Sequence, residues 1–128
     1  MFDPDSYPIT IAEMGPAKKE LDAILSESEH DQLVDWLALN PDVGDIIQGA
    51  NGVRKARWAY GSKGKRGGLR VIYYFRDLNM PIYVLAVYRK NEKLNITATE
   101  KRIISQMVDQ IVEQWALRRV RNLSKSVG

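Results

Sequence analysis

Cysteine is absent from this 128-residue chain and histidine occurs once, at His30. Without cysteine there is no thiol catalysis, no disulfide and no thiolate metal site. A single histidine excludes an acid–base pair of histidines, and His30, set among acidic residues of a helical stretch, reads as a solvated helix position. No apolar run approaches the roughly 20 residues of a membrane span. The start, MFDPDSYPIT, is acidic and interrupted by Pro4 and Pro8, unlike a signal peptide. There is no internal repeat and no low-complexity segment, so the expectation is one cytoplasmic domain with a core large enough to fold unaided. That domain spans residues 1–128, with its core at about 9–116 and a basic extension at 117–128.

Charge is present but unevenly placed. Residues 1–48 carry eleven acids against Lys18 and Lys19, a balance of −9, while residues 49–128 carry seventeen cations against five acids, a balance of +12. Within the basic half, residues 54–93 hold eleven Lys or Arg against only Asp77 and Glu92. These cations alternate with apolar residues at strand period, which predicts a rigid sheet face rather than a basic tail. A fixed positive face suits a polyphosphate. Two dispersed carboxylates do not make a metal site, so no metal and no other cofactor is expected.

A short first strand is predicted at residues 9–14. Gly15-Pro16 then opens a helix carrying Leu21, Ile24 and Leu25. Ser28 and Asp31 have capping-box spacing, predicting a second helix to about Leu39 with Leu33, Val34, Trp36 and Leu37 inward, stopped by Asn40-Pro41. The segment PDVGDIIQGANG reads as a turn-rich connection. Three strands follow at residues 53–60, 69–76 and 81–90, joined by links short enough for antiparallel hairpins. In the middle strand Val71, Tyr73 and Phe75 face one way, and Arg70, Ile72, Tyr74 and Arg76 the other, predicting one core face and one mixed aromatic and cationic face. The third, IYVLAVY, is apolar on both faces, as a central strand would be. Thr97 and Glu100 form a capping box before a helix with an apolar stripe at Ile103, Ile104, Met107, Val108, Ile111, Val112 and Trp115. Its basic end beyond Ala116 is expected to fray.

Strand alternation sets Lys55 and Arg57 on one face and Ala56 and Trp58 on the other. With Arg70 and Lys90 they form a candidate cluster for binding phosphate and stabilising a phosphorane-like transition state. A single sheet-edge lysine more often serves to resist aggregation, but four cations at converging strand positions favour a site. Crowding by other cations makes Lys55 or Lys90 a candidate general base, with Glu92 the competitor. The tip GSKGKRGG lacks the order of a P-loop and precedes a strand, so nucleotide hydrolysis is not expected. Its Lys63, Lys65 and Arg66, with Arg54, Arg76 and Lys93 around the sheet, are candidates for contact with a nucleic-acid backbone. Tyr74 and Tyr88 are candidates for stacking on unpaired bases, whereas Trp58, Tyr73 and Phe75 are assigned to the core.

The motifs NPDVGDIIQGANGVRKARWA, KGKRGGLRVIYYF and IYVLAVYRKNEK, followed by a TxxE helix start, closely resemble the RelE/HigB-type toxins of bacterial toxin–antitoxin modules. The resemblance runs from about Ile9 to Trp115. It implies a small α+β fold, an antiparallel sheet flanked by helices, and metal-free endoribonucleolytic cleavage of mRNA in the ribosomal A site. It places the family's basic pair on Lys55 and Arg57, its strand-starting arginine on Arg70, and its cluster after the last strand on Lys90, Glu92 and Lys93. The acid or base that some relatives carry on the closing helix has no counterpart here. The implied partner is a small antitoxin, often a helix-turn-helix protein, forming a toxin–antitoxin hetero-oligomer. It would either cover the cations or dock on a separate surface such as the helical layer at residues 17–39. Relatives that inhibit DNA gyrase and cleave nothing make a non-catalytic toxin the alternative, and a plain RNA-binding accessory protein is a third.

Overall fold

The computed structural model describes residues 10–59 and 68–127, with side chains as far as residue 121. Lys63, Lys65 and Arg66 of the expected hairpin tip therefore lie outside the described residues. Eight elements follow in order: β1 (Ile11–Glu13), α1 (Gly15–Ile24), α2 (Glu27–Leu39), β2 (Asp45–Ile46), β3 (Arg54–Trp58), β4 (Leu69–Tyr74), β5 (Ile82–Arg89) and α3 (Ala98–Val127). The strands form one sheet in the order β1-β5-β4-β3-β2. β1 runs parallel to β5 and the other pairs are antiparallel, giving an α+β fold with a mixed sheet.

Helix boundaries follow the local chemistry. Pro16 occupies the first turn of α1, where a missing N–H costs nothing. The capping box of α2 lies two residues earlier than expected. Ser26 Oγ accepts from the Glu29 N–H at 3.1 Å, and Glu29 Oε1 accepts from the Ser26 N–H at 3.0 Å. Of two overlapping Ser-x-x-acid patterns, the one with the longer glutamate arm closes. The Thr97–Glu100 box opens α3 as expected, with both reciprocal bonds formed. α3 does not fray at Ala116 but continues to Val127. No Gly or Pro interrupts it, and cations near a helix C-terminus complement its dipole.

The helices cover both faces of the sheet. On one, Leu21, Leu25, Leu33 and Leu37 of the α1–α2 layer pack against Ala56, Leu69, Val71, Tyr73, Ile82, Val84 and Val87. On the other, Ile104, Val108 and Ile111 of α3 pack against Ile72, Tyr74 and Leu85, with Ala50, Val53 and Met80 at the margin. Each fully buried leucine contributes about 1.5–3 kcal/mol of transfer free energy. All of β4 is buried, so its second face is core where a mixed cationic face was expected. Ile103 of the predicted stripe stays half exposed. A bulge helps this fit: Ile72 pairs with Ala86 but Tyr73 with Val84, so Leu85 is left over and turns into the α3 side.

Two short features escaped the sequence reading. β2 is a two-residue strand inside the supposed connection. Its approach depends on Gly44, where a Cβ would lie 2.9 Å from the Lys55 carbonyl and from the Tyr73 ring. The Gly44 N–H donates to the Tyr73 hydroxyl at 2.9 Å, and that hydroxyl donates to the Pro41 carbonyl at 2.8 Å. His30 is not solvated. Its ring is mostly buried, with Nε2 against Glu13 and Nδ1 3.4 Å from Asp22, so it ties α2 to β1 and α1.

Candidate functional site

Register places three expected residues in one row across three strands: Arg57 pairs with Arg70, and Arg70 with Tyr88. Directly paired residues share a sheet face. Lys55 pairs with Ile72 of the α3-side core, so Lys55, Arg57, Arg70 and Tyr88 all stand on that face, past the end of its apolar packing. Arg57 is exposed, Lys55 half buried and Arg70 only 5% exposed. The cation on β3 therefore meets solvent, while its neighbour on β4 is buried, where lower dielectric strengthens its field.

The segment between β5 and α3 closes the site. Lys55 Nζ reaches Asn95 Oδ1 at 3.4 Å. Lys93 Nζ stands 5.7 Å from the centroid of the Tyr88 ring and also pairs with Glu100. That hydrogen bond from Lys93, followed by the cap bond from Thr97, holds the Glu100 carboxyl below its usual range. Burial pushes the Tyr88 hydroxyl above its ordinary value of 10.0, against a lowering by nearby Arg70. Tyr88 is thus a neutral hydroxyl and a donor rather than a base. Its oxygen is buried with no hydrogen-bond partner among the described residues, an uncommon state for a tyrosine.

Other expected residues are placed differently. Glu92 accepts from Arg89 at 2.9 Å, and Arg89 pairs with Leu69 of the opposite core, so this carboxylate is drawn away from the row. Arg54 faces the α1–α2 side and donates to the carbonyls of Asp42 and Gly44 at 3.2 and 2.8 Å, which makes it a loop clamp. Tyr74 is 9% exposed within the α3-side core and has no free ring face for a base. Tyr88 is partly buried, packed against the same core with Lys93 Nζ over its ring. Arg76 lies past the far end of β4. Lys90 stays close: its N–H bonds to the Gly68 carbonyl at 3.3 Å, and Gly68 needs its φ of +53° at the start of β4. Glu100 and Asn95 were missed as site residues, the first because a capping box fully explained it. Among the described residues no three His, Asp or Glu side chains converge as metal ligands would, and no helix is long and apolar enough to cross a membrane.

The chain is similar to several known proteins. Among solved structures, an arginine-substituted mutant of the E. coli toxin RelE in the free state is 16% identical over 69% of this chain and 90% of that one, with TM-score 0.49. The intact E. coli RelBE toxin–antitoxin complex contains a chain 19% identical over 63% of this one and 95% of its own length, with TM-score 0.46. A RelBE toxin–antitoxin complex from Mycobacterium tuberculosis gives 22% identity over 65% and 99%, with TM-score 0.47. The family model of the RelE toxin of the RelE/RelB toxin–antitoxin system matches residues 43–125, which takes in β2 to β5 and nearly all of α3. On that match, which covers well over half of the sequence, the chain belongs to the RelE toxin family, the toxin half of a type II toxin–antitoxin pair.

Proposed function

We propose that this toxin is an endoribonuclease that cuts mRNA on the ribosome, without a metal. The observation that carries the reading is the row Arg57–Arg70–Tyr88 with Lys55 beside it, a set of cations fixed on a sheet instead of a loop. In the proposed step the ribose 2′-oxygen attacks the adjacent phosphorus while Lys55 assists removal of its proton. Arg57 meets the extra negative charge of the phosphorane, and the buried Arg70 beside it adds positive potential. The P–O5′ bond then breaks, the 5′-oxygen takes up a proton from water, and the products are a 2′,3′-cyclic phosphate and a 5′-hydroxyl. Lys55 is preferred to Glu92 because it shares the face of Arg57 and Arg70, whereas Glu92 is held by Arg89. Lys90 and Lys93 border the same end of the sheet and would contact the RNA backbone, as would Lys63, Lys65 and Arg66. The partner in the cell is a cognate antitoxin, in keeping with the family, and a helix-turn-helix protein is the form proposed for it.

Purified toxin added to a translating extract tests this directly. Expected are new mRNA ends carrying cyclic or 3′-phosphate, made on ribosome-bound message and not on the same RNA free in solution. Growth arrest with intact polysomal mRNA would instead identify a non-catalytic or gyrase-directed toxin. Cleavage leaving 5′-phosphate ends would remove the 2′-oxygen attack.

A further inference from the structure

A second concavity lies midway along α3, about 22 Å along the helix from Glu100. It is a pocket of about 570 Å³ between the β4–β5 turn and the helix, lined by Arg76, Asp77, Asn79, Met80, Val112, Trp115, Ala116 and Arg119. Met80, Val112 and Ala116 give it apolar walls. Trp115 is fixed there by its indole N–H, which donates to the Tyr83 hydroxyl, and by Arg118, whose guanidinium lies 5.0 Å from the ring centroid. Arg76 and Arg119 supply positive charge from the turn and from the helix. α3 runs on to Val127, and Arg118 and Arg121 add to the positive charge of this half of the helix.

We infer that this surface is a docking site for an acidic amphipathic segment of a partner protein, whose apolar side chains enter between Met80, Val112 and Trp115 while its carboxylates meet Arg76 and Arg119. Charge complementarity selects an acidic occupant. A polyphosphate fits less well, because Asp77 is in the lining, the walls are apolar, and Arg118 already covers the Trp115 ring. An apolar anchor between cationic rims suits one face of an amphipathic helix, as in helix-in-groove recognition. The proposal rests on the toxin reading in one respect only: on that reading the segment belongs to the antitoxin. Docking here would leave Lys55, Arg57 and Arg70 uncovered and would silence the toxin by bulk at a narrow target. It also differs from the helical layer at residues 17–39, whose acidic surface would repel such a segment.

A synthetic helical peptide of about four turns, with leucine on one face and glutamate on the other, is the probe, titrated into the full chain. The readouts are calorimetry and the indole N–H resonance of Trp115. Expected are saturable binding, a shift of that resonance, and an affinity about tenfold or more weaker for Arg119→Glu. Ala116→Trp, which fills the pocket from an exposed helix position, should abolish the shift. Both variants should keep their helical content and their mRNA cleavage, so loss of peptide binding and failure of the nuclease reading are separate results. Equal binding of a leucine–lysine peptide, or indifference to both substitutions, would overturn the proposal. A larger shift on adding oligouridine would replace the peptide by nucleic acid. Self-association that disappears with Arg119→Glu would make a second copy the occupant, and a Trp115 shift on deleting residues 1–9 would make it the chain's own start. Either result would also overturn it.

Discussion

Tyr88 stands directly across the β4–β5 ladder from Arg70, and its hydroxyl is buried without a hydrogen-bond partner among the described residues. A polar group in that state costs free energy that its removal returns. Tyr88→Phe should therefore raise stability by about 1 kcal/mol, measured by denaturant unfolding. Loss of stability would mean that the hydroxyl has a partner in solution. If cleavage falls while stability rises, the hydroxyl donates to the bound RNA.

Arg57 and Arg70 differ in burial and should differ in what their loss does. Arg57→Ala, at an exposed position, should lower the cleavage rate roughly 10²- to 10³-fold with an unchanged melting temperature. Arg70→Ala should lower both, because it empties a buried site. Arg70→Met keeps most of the volume and should lose less stability than Arg70→Ala while losing cleavage as fully. Full activity in Arg70→Met would remove this arginine from the chemistry.

The pair Lys93–Glu100 predicts an acid dependence. Glu100 is held below its ordinary value of 4.5, chiefly by the hydrogen bond from Lys93. Its contribution to stability is therefore complete above that value and is lost as pH falls through the lowered one. Glu100→Gln keeps the cap acceptor but not the ion pair, so its melting temperature should fall less than that of wild type between neutral pH and pH about 3. Parallel curves for the two proteins would show that the pair adds nothing.

Gly44→Ala should destabilise by about 1–3 kcal/mol through overpacking, since its Cβ meets backbone of Lys55 and the Tyr73 ring at 2.9 Å. Arg54 reaches the Gly44 carbonyl, so a displaced loop should also shift β3. Amide exchange at Lys55 and Arg57 would report that displacement, and an unchanged exchange pattern would show the loop relaxing alone.

Much of this fold was legible because its local signals agree. The strands β3 to β5 show apolar alternation bounded by glycine and asparagine, and Thr97–Glu100 marks the start of α3 at the right residue. Signals that overlap or are too short were misread. Ser26 and Ser28 each begin a Ser-x-x-acid pattern, and only side-chain reach separates them. β2 has two residues and no period of its own. Arg54 and Arg57 look alike in sequence, yet one clamps a loop and the other faces solvent. Within the candidate site, the cations of β3 and β4 could be read from alternation. The place of Tyr88 beside Arg70 could not, since it depends on which residue of β5 lies opposite, and the bulge at Leu85 shifts that count for the rest of the ladder. Glu100 joins the site only because the turn after β5 brings Lys93 back over Tyr88.

β4 sends Leu69, Val71 and Tyr73 into one core and Ile72 and Tyr74 into the other. Neither helical layer can detach without exposing one side of that strand, so the two cores form a single cooperative unit. The same strand carries Arg70. A loosening on the α1–α2 side is thereby transmitted to the cationic row on the α3 side through one backbone, with no intervening hinge. Calorimetry should give one transition in which the calorimetric and van't Hoff enthalpies agree.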